Sequence, residues 1–207
     1  DQERSTEDAL RMQVDDLKWL GLDWDEGPGH QDLSAEVGDV GPYRQSHRRP
    51  LYQKYASQLL ETGKAFYCFC SDETLESKKQ KAVSEGRPPH YDGTCRSLGL
   101  ATAQSRIAGG EKACVRFNVG EPKDYTLRDL IRGDVTFPSS MVGDFVILRS
   151  DGMPVYNFCC VIDDALMGIT HVLRAEEHLS NTLRQMMLYE AYGFSLPKFG
   201  HLSIILG

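Results

Sequence analysis

The feature that most constrains the fold is an abrupt change of chemistry in ITHVLRAEEHLSNTLRQ, residues 169 to 185. Ile169, Val172 and Leu173 belong to an apolar run of strand length, Arg174 ends it, and Glu176, Glu177 and His178 follow before a segment with helical periodicity. A strand that stops in charge and turns into a helix is the pattern of the carboxyl edge of a parallel sheet, where open α/β folds bind their ligands. Ser180 and Asn181 are placed to cap that helix, whose exposed N–H groups favour an anion. Arg174, a rigid fork of donors, suits a carboxylate or phosphate in two-point contact, and Glu177 suits an amine or ribose. An ion pair between Arg174 and Glu176 or Glu177 accounts for the same residues without any ligand.

The flanking sequence alternates in the same way. Residues 5 to 20 read as a helix with Ser5 or Thr6 as cap, an apolar stripe at Leu10, Val14 and Leu17, and Gly21 as its stop. Residues 23 to 46 are broken by Gly and Pro and read as loop. A helix over 49–62 carries Leu51, Tyr55, Leu59 and Leu60 on one face, and a strand follows at 65–70. The character then changes: a polar helix over 71–85, a turn-rich connector, and short strands at 113–119, 135–137 and 145–149 make a small α+β segment. A helix over 156–166, a strand over 169–173, a helix over 180–192 and a strand over 202–206 restore the α/β order. Fold class is therefore α/β, a parallel sheet interrupted by an insertion, with divisions at 1–65, 66–150 and 151–207.

A chain of 207 residues with 41% hydrophobic content can bury a sizeable core. No apolar run reaches the roughly 18 residues that a membrane helix requires. The net charge of -7 means that a nucleic-acid partner has to meet a local basic face. Arg87, Lys112, Arg116, Lys123, Arg128 and Arg132 are the candidates for it.

Cys68, Cys70 and Cys95 can give three thiolates, and Tyr91 a phenolate, to one tetrahedral zinc ion. Tyr91, His90 or water is the fourth ligand, and three buried thiols without metal is the plainer reading. Cys159 and Cys160 are adjacent, and a disulfide framework is not expected. The Asp163–Asp164 pair reads as structural, through capping or pairing, ahead of a magnesium site.

Four long strings carry a resemblance: GLDWDEGP (21–28), GPYRQSHRRPLYQKYASQLLETGKAFYCFC (41–70), PVYNFCCVIDDALMGITHVLRAEEHLSNTLRQ (154–185) and GFSLPKFGHLSIILG (193–207). Together they resemble the glutamyl-tRNA synthetases of bacterial and organellar type, and the wording around YNFCCVIDD and RAEEHLSNTLRQ resembles cyanobacterial and plastid members most. The resemblance spans the chain and implies a class I catalytic domain, Rossmann-like, whose insertion grips the tRNA acceptor end. It implies ATP-dependent activation of L-glutamate, with Mg2+, and transfer to tRNA(Glu). Tyr156 and Arg174 would contact glutamate, Glu177 would lie near ATP, and Arg44 would face tRNA; among the basic residues Arg116, inside the strand-like CVRFNV, is the one expected at the acceptor stem. Cys160 stands on the face of Tyr156, where many members carry asparagine, and a thiol is the weaker hydrogen-bonding group. Some members, and a tRNA-modifying paralogue, hold zinc at positions matching the cysteines.

The PxGxxHxG-like and KLSKR-like loops of such enzymes have no counterpart here, so the resemblance implies a section of a longer catalytic region. This section alone is not expected to activate glutamate at a useful rate. The alternative is a non-enzymatic remnant that serves a larger assembly as scaffold or RNA-binding subunit. The paralogue is disfavoured, because it has a shorter insertion than the twenty residues between Cys70 and Tyr91. The complete enzyme is expected to be monomeric, cytoplasmic if bacterial, and plastid or mitochondrial if organellar.

Overall fold

The computed structural model describes residues 6–204. They form two compact units, divided between Leu51 and Tyr52.

The first unit opens with α1 (Glu7–Trp19). Thr6 caps it by accepting from the Ala9 N–H at 3.1 Å, and Glu7 and Asp8 sit where the helix dipole favours anions. Ser5, the other cap expected, lies outside the described residues. The stretch expected as loop holds a minimal antiparallel ladder, β1 (Gly27–Pro28) with β2 (Glu36–Val37), and a 3-10 turn at Gln45–Arg48. The Tyr43 hydroxyl donates to Glu26 at 2.6 Å and lies so close to Gly38 that a Cβ there would sit 2.3 Å from it. Gly38 also has φ +110°, so side chains are excluded twice over.

α2 (Arg49–Glu61) carries the chain into the second unit, where it buries Tyr52, Ala56, Leu59 and Leu60 at helical spacing. β3 (Ala65–Cys68), α3 (Asp72–Ser84), α4 (Leu100–Ala108) and β4 (Cys114–Phe117) follow. Then come the hairpin of β5 (Asp124–Asp129) and β6 (Gly133–Pro138), and β7 (Phe145–Leu148). β3, β4 and β7 make an antiparallel sheet in that order. The last third is α5 (Tyr156–Leu166), β8 (His171–Ala175), α6 (Leu179–Tyr192) and β9 (Lys198–Leu202). β8 and β9 pair in parallel through α6, which is the β-α-β unit that the charge cluster implied. The larger core of this unit takes in Leu59 of α2, Phe117 of β4, Ile147 of β7, Phe158 and Ile162 of α5, Leu183, Met187 and Leu188 of α6, and Phe199 of β9, and a smaller cluster holds Phe66, Cys68 and Cys95.

In the last third, three elements differ from the sequence reading. Strand β8 starts two residues later and continues through Arg174, because the parallel ladder pairs Arg174 with His201 and Ala175 with Leu202. Strand β9 ends at Leu202, and of the expected strand over 202–206 the residues 205–206 lie outside those described. Helix α6 begins at Leu179 behind a 3-10 turn at Glu176–His178, so Ser180 and Asn181 are helical and His178 occupies the cap position. Two acidic side chains therefore stand at the N-terminus expected to hold an anion.

Candidate functional site

The carboxyl end of β8 presents Arg174, and its guanidinium is held by three neutral acceptors. Nε donates to His201 Nε2 at 3.2 Å, and Nη2 donates to Thr182 Oγ1 at 2.7 Å and Gln185 Oε1 at 2.8 Å. Its carbon lies 5.2 Å from the centre of the Phe199 ring. Among the described residues Arg174 has no carboxylate at ion-pair distance, and none of these three bonds uses Nη1; the remaining polar neighbour is the Tyr156 hydroxyl. The ion pair weighed against a ligand is thus not made by Arg174: Glu176 pairs with Arg132 instead. A half-buried cation with neutral neighbours and one free edge is arranged to receive an anion.

Across from it stands α5. Tyr156 is its first residue and is half exposed, with the hydroxyl beside both Cys160 and Arg174. The helix places Cys160 one turn on, as the spacing of four implied. Burial pushes the Tyr156 phenol up, so it remains a neutral donor. The Cys160 thiol is drawn down, first by the Cys159 thiol and then by Tyr156 and Arg174. Asn157 Oδ1 accepts from Gln185 Nε2 at 3.2 Å, which fixes the amide that holds Arg174. The aspartates behind this wall are structural: the Tyr52 hydroxyl donates to Asp163 at 2.7 Å and the Tyr189 hydroxyl to Asp164 at 3.4 Å. Burial raises Asp164, so it competes weakly for Arg174. Glu177 lies in the 3-10 turn with its carboxylate in solvent, 3.7 Å from His178 Nε2.

Sequence reasoning missed Thr182, Gln185, His201 and Asp129. Thr182 and Gln185 had a signal, since both are polar and three apart on the apolar face of α6. Asp129 had none, because only the packing of the β5–β6 turn brings it to β9.

A second cluster lies at the end of β3. Tyr91 Oη is 3.4 Å from Cys68 Sγ and 3.6 Å from Cys70 Sγ, and the Cys70 and Cys95 sulfurs are 3.7 Å apart. A tetrahedral ion with bonds of about 2.3 Å has ligand separations of about 3.8 Å; these three separations lie close to that, and the three sulfurs all lie within 4.8 Å of one another. The Cys95 backbone N–H donates to Tyr91 Oη at 2.9 Å, leaving an oxygen lone pair for the centre. Cys114, paired with Cys68 across the β3–β4 ladder, holds the Cys68 thiol down to about 4, with help from Tyr91 and Arg116. Burial pushes Cys70 up to about 11.

Four of the basic candidates have partners inside the fold. Arg116, expected against tRNA, is buried instead, 4.3 Å from the Tyr91 ring centre and beside Cys68. Its opposition to the thiols is what keeps a cation inside. Arg87, Lys123 and Arg132 pair with Glu85, Glu190 and Glu176. In the first unit Arg44 forks onto Glu7, at 2.5 and 3.0 Å.

Comparison with known proteins adds a separate line of evidence. The family model for tRNA synthetases class I (E and Q), catalytic domain, matches residues 1–207. The glutamate–tRNA ligase of Bdellovibrio bacteriovorus is 56% identical over 207 residues, covering all of this chain and 41% of that protein. That of Carboxydothermus hydrogenoformans is 50% identical over 208 residues, covering 42% of it. Among solved structures, a glutamate tRNA ligase from Elizabethkingia meningosepticum in complex with its amino acid superposes with a TM-score of 0.86 at 33% identity, over 100% of this chain and 41% of that one.

Proposed function

The chain belongs to the class I tRNA synthetases (E and Q), as part of their catalytic domain, and on that premise we propose that it forms the glutamate-binding part of a glutamate–tRNA ligase. It spans about two-fifths of the relatives it matches, so the activity proposed is that of the full-length protein. The reaction is ATP-dependent: a carboxylate oxygen of L-glutamate attacks the α-phosphate of ATP, pyrophosphate leaves, and a ribose hydroxyl of tRNA(Glu) then displaces AMP. ATP acts with Mg2+, which neutralises charge on the leaving phosphates.

One observation carries this reading: Arg174 is fixed by neutral acceptors only and keeps a free edge at the end of a parallel strand. A zwitterion with a second carboxylate needs a cation that no protein carboxylate has already claimed. In this reading Nη1 of Arg174 donates to a glutamate carboxylate, the Tyr156 hydroxyl donates beside it, and Cys160 packs between them. The wall of α5 excludes water and strengthens these bonds. Glu177, exposed in the turn beyond the strand, is placed to accept from the ribose or the ammonium group. These residues bind and orient; the proposal assigns none of them a proton transfer.

The cysteine cluster is proposed to hold a structural zinc through Cys68, Cys70, Tyr91 and Cys95, with Arg116 offsetting the negative charge of the ligands. The bacterial origin of the relatives supports a cytoplasmic setting, and no helix among the described residues is long and apolar enough to cross a membrane. The division at 1–65, 66–150 and 151–207 is retained as the proposed domain plan, with the β5–β6 hairpin as the part of the insertion that reaches back to β9.

Glutamate-dependent exchange of pyrophosphate into ATP, measured on the full-length protein with tRNA(Glu), tests the reading. Arg174→Ala is expected to raise the KM for glutamate about a hundredfold, the loss of a charged hydrogen bond, and to leave the KM for ATP in place. Equal losses for both substrates would show that Arg174 does not face the amino acid.

A further inference from the structure

Arg174 does not hold its own orientation. Behind it lies a fully buried pair, His201 and Asp129, joined at 2.5 Å through His201 Nδ1. Asp129 comes from the end of β5, and its carboxylate is over-determined. Oδ1 accepts from the backbone N–H groups of Ile131 and Arg132 at 3.0 Å each and of His201 at 3.2 Å, while Oδ2 meets the imidazole. A carboxylate this well satisfied is an acceptor, so Nδ1 of His201 is the nitrogen that carries hydrogen. Nε2 then has a lone pair, and what it faces is the Nε–H of Arg174, with the Thr182 hydroxyl at 3.1 Å. The opposite tautomer would set an N–H of His201 against an N–H of Arg174 in a site closed to water.

We infer that Asp129 and His201 are positioning residues for the amino-acid site: Asp129 fixes the His201 tautomer, and His201 thereby fixes the guanidinium plane of Arg174 with its Nη1 edge toward the ligand. The inference rests on the reading of Arg174 given above and deepens it. Of the five N–H donors of arginine, three are already used by His201, Thr182 and Gln185, and the two on Nη1 are left with fixed directions. The two N–H groups of one nitrogen diverge, so Nη1 directs a single bond at a ligand group; held in place, it favours a charged carboxylate, both of whose oxygens are acceptors, over the side-chain amide of glutamine, whose second polar atom is a donor turned toward the cation. Asp129 and Arg132 belong to the turn of the β5–β6 hairpin, where Leu130 donates its N–H to Phe199 O at 2.8 Å and Arg132 donates to His201 O at 3.2 Å. Amino-acid selection is thus set by a residue distant in sequence from the strand that carries Arg174.

The test uses the full-length protein with selectively 15N-labelled histidine. The His201 signals, identified by their loss in His201→Asn, are expected to show the Nδ1–H tautomer. In Asp129→Asn, whose amide keeps Oδ1 for the backbone and turns a donor to Nδ1, they are expected to switch to Nε2–H. Asp129→Asn and His201→Asn are both expected to weaken L-glutamate binding by about tenfold to a hundredfold while ATP binding stays unchanged. The preference for L-glutamate over L-glutamine is expected to fall with it. An Nε2–H tautomer in the unmodified protein overturns the inference without any variant. So does unaltered glutamate binding in both variants when Arg174→Ala binds poorly, an outcome that leaves the Arg174 reading standing. If Arg174→Ala itself binds glutamate normally, both fail together.

Discussion

Replacing Tyr91 with phenylalanine isolates one ligand atom of the proposed zinc site. The ring is held independently of its hydroxyl: it stacks on Phe66 at 6.0 Å between centres, and the Arg116 guanidinium lies 4.3 Å from it. Phenylalanine keeps both contacts and loses only Oη, which sits 3.4 and 3.6 Å from the Cys68 and Cys70 sulfurs. Structural zinc sites bind with about 10–16 kcal/mol for four ligands, so one ligand contributes about 3 kcal/mol, less what a replacing water returns. Apparent zinc affinity is therefore expected to drop between tenfold and a hundredfold, on the order of 1.4 to 2.8 kcal/mol. Competition with a chromophoric chelator at fixed pH measures this, and circular dichroism of both proteins checks that the fold is unchanged. Affinity within about twofold of the parent protein would remove Tyr91 from the ligand set, and a parent protein that takes up no zinc would remove the site.

Three further outcomes follow from the same coordinates. Asp129 is held down to about 2, against an ordinary 3.8, because bonds from His201, Arg132 and Ile131 outweigh the upward push of its burial. Its contribution, about 2 kcal/mol, is present above pH 3.8 and is lost as pH falls through 2; urea unfolding of the protein and of Asp129→Asn should converge on acidification, and a constant gap would refute this. Gly143→Ala would set a Cβ 2.6 Å from His90 Cβ and 3.4 Å from its Cα, so a loss of about 1–3 kcal/mol is expected in thermal or urea unfolding, and an unchanged midpoint would contradict the packing. Cys160→Asn puts an amide beside the Tyr156 hydroxyl and is expected to tighten glutamate binding about threefold to tenfold by calorimetry, whereas weaker binding would mean that the pocket is shaped around the thiol.

What could be read before any coordinates was the local chemistry. The break from Leu173 to Arg174, the Tyr156–Cys160 spacing and the Cys68–Cys70–Cys95 set are each visible in a short window, and helices α2, α3 and α5 fall close to where periodicity puts them. Helix α4 escaped notice because it is only nine residues long and, apart from Leu100 and Ile107, its apolar residues are alanines, and β5 because it is polar on its outer side. Strand ends shifted for a different reason: Arg174 and Ala175 are extended because β9 pairs with them, and pairing between segments about 27 residues apart leaves no trace in composition. Long-range partners were hidden in the same way. His201 follows Phe199 and Gly200 in a five-residue strand, and nothing near it in the chain points to Asp129 or Arg174. The burial of Arg116 was illegible because a basic residue in a strand is normally at the surface, and it is the thiols and Tyr91 around it, with the Asp144 carbonyl, that make an interior position favourable.

The central claim is that Arg174 offers its free edge to an amino-acid carboxylate. A crystal structure of the full-length protein with bound L-glutamate tests it most directly. The account predicts a carboxylate oxygen within about 3 Å of Arg174 Nη1 and of the Tyr156 hydroxyl, with the bonds to His201, Thr182 and Gln185 retained. Glutamate bound away from Arg174, or a guanidinium turned instead onto Asp164, would contradict it.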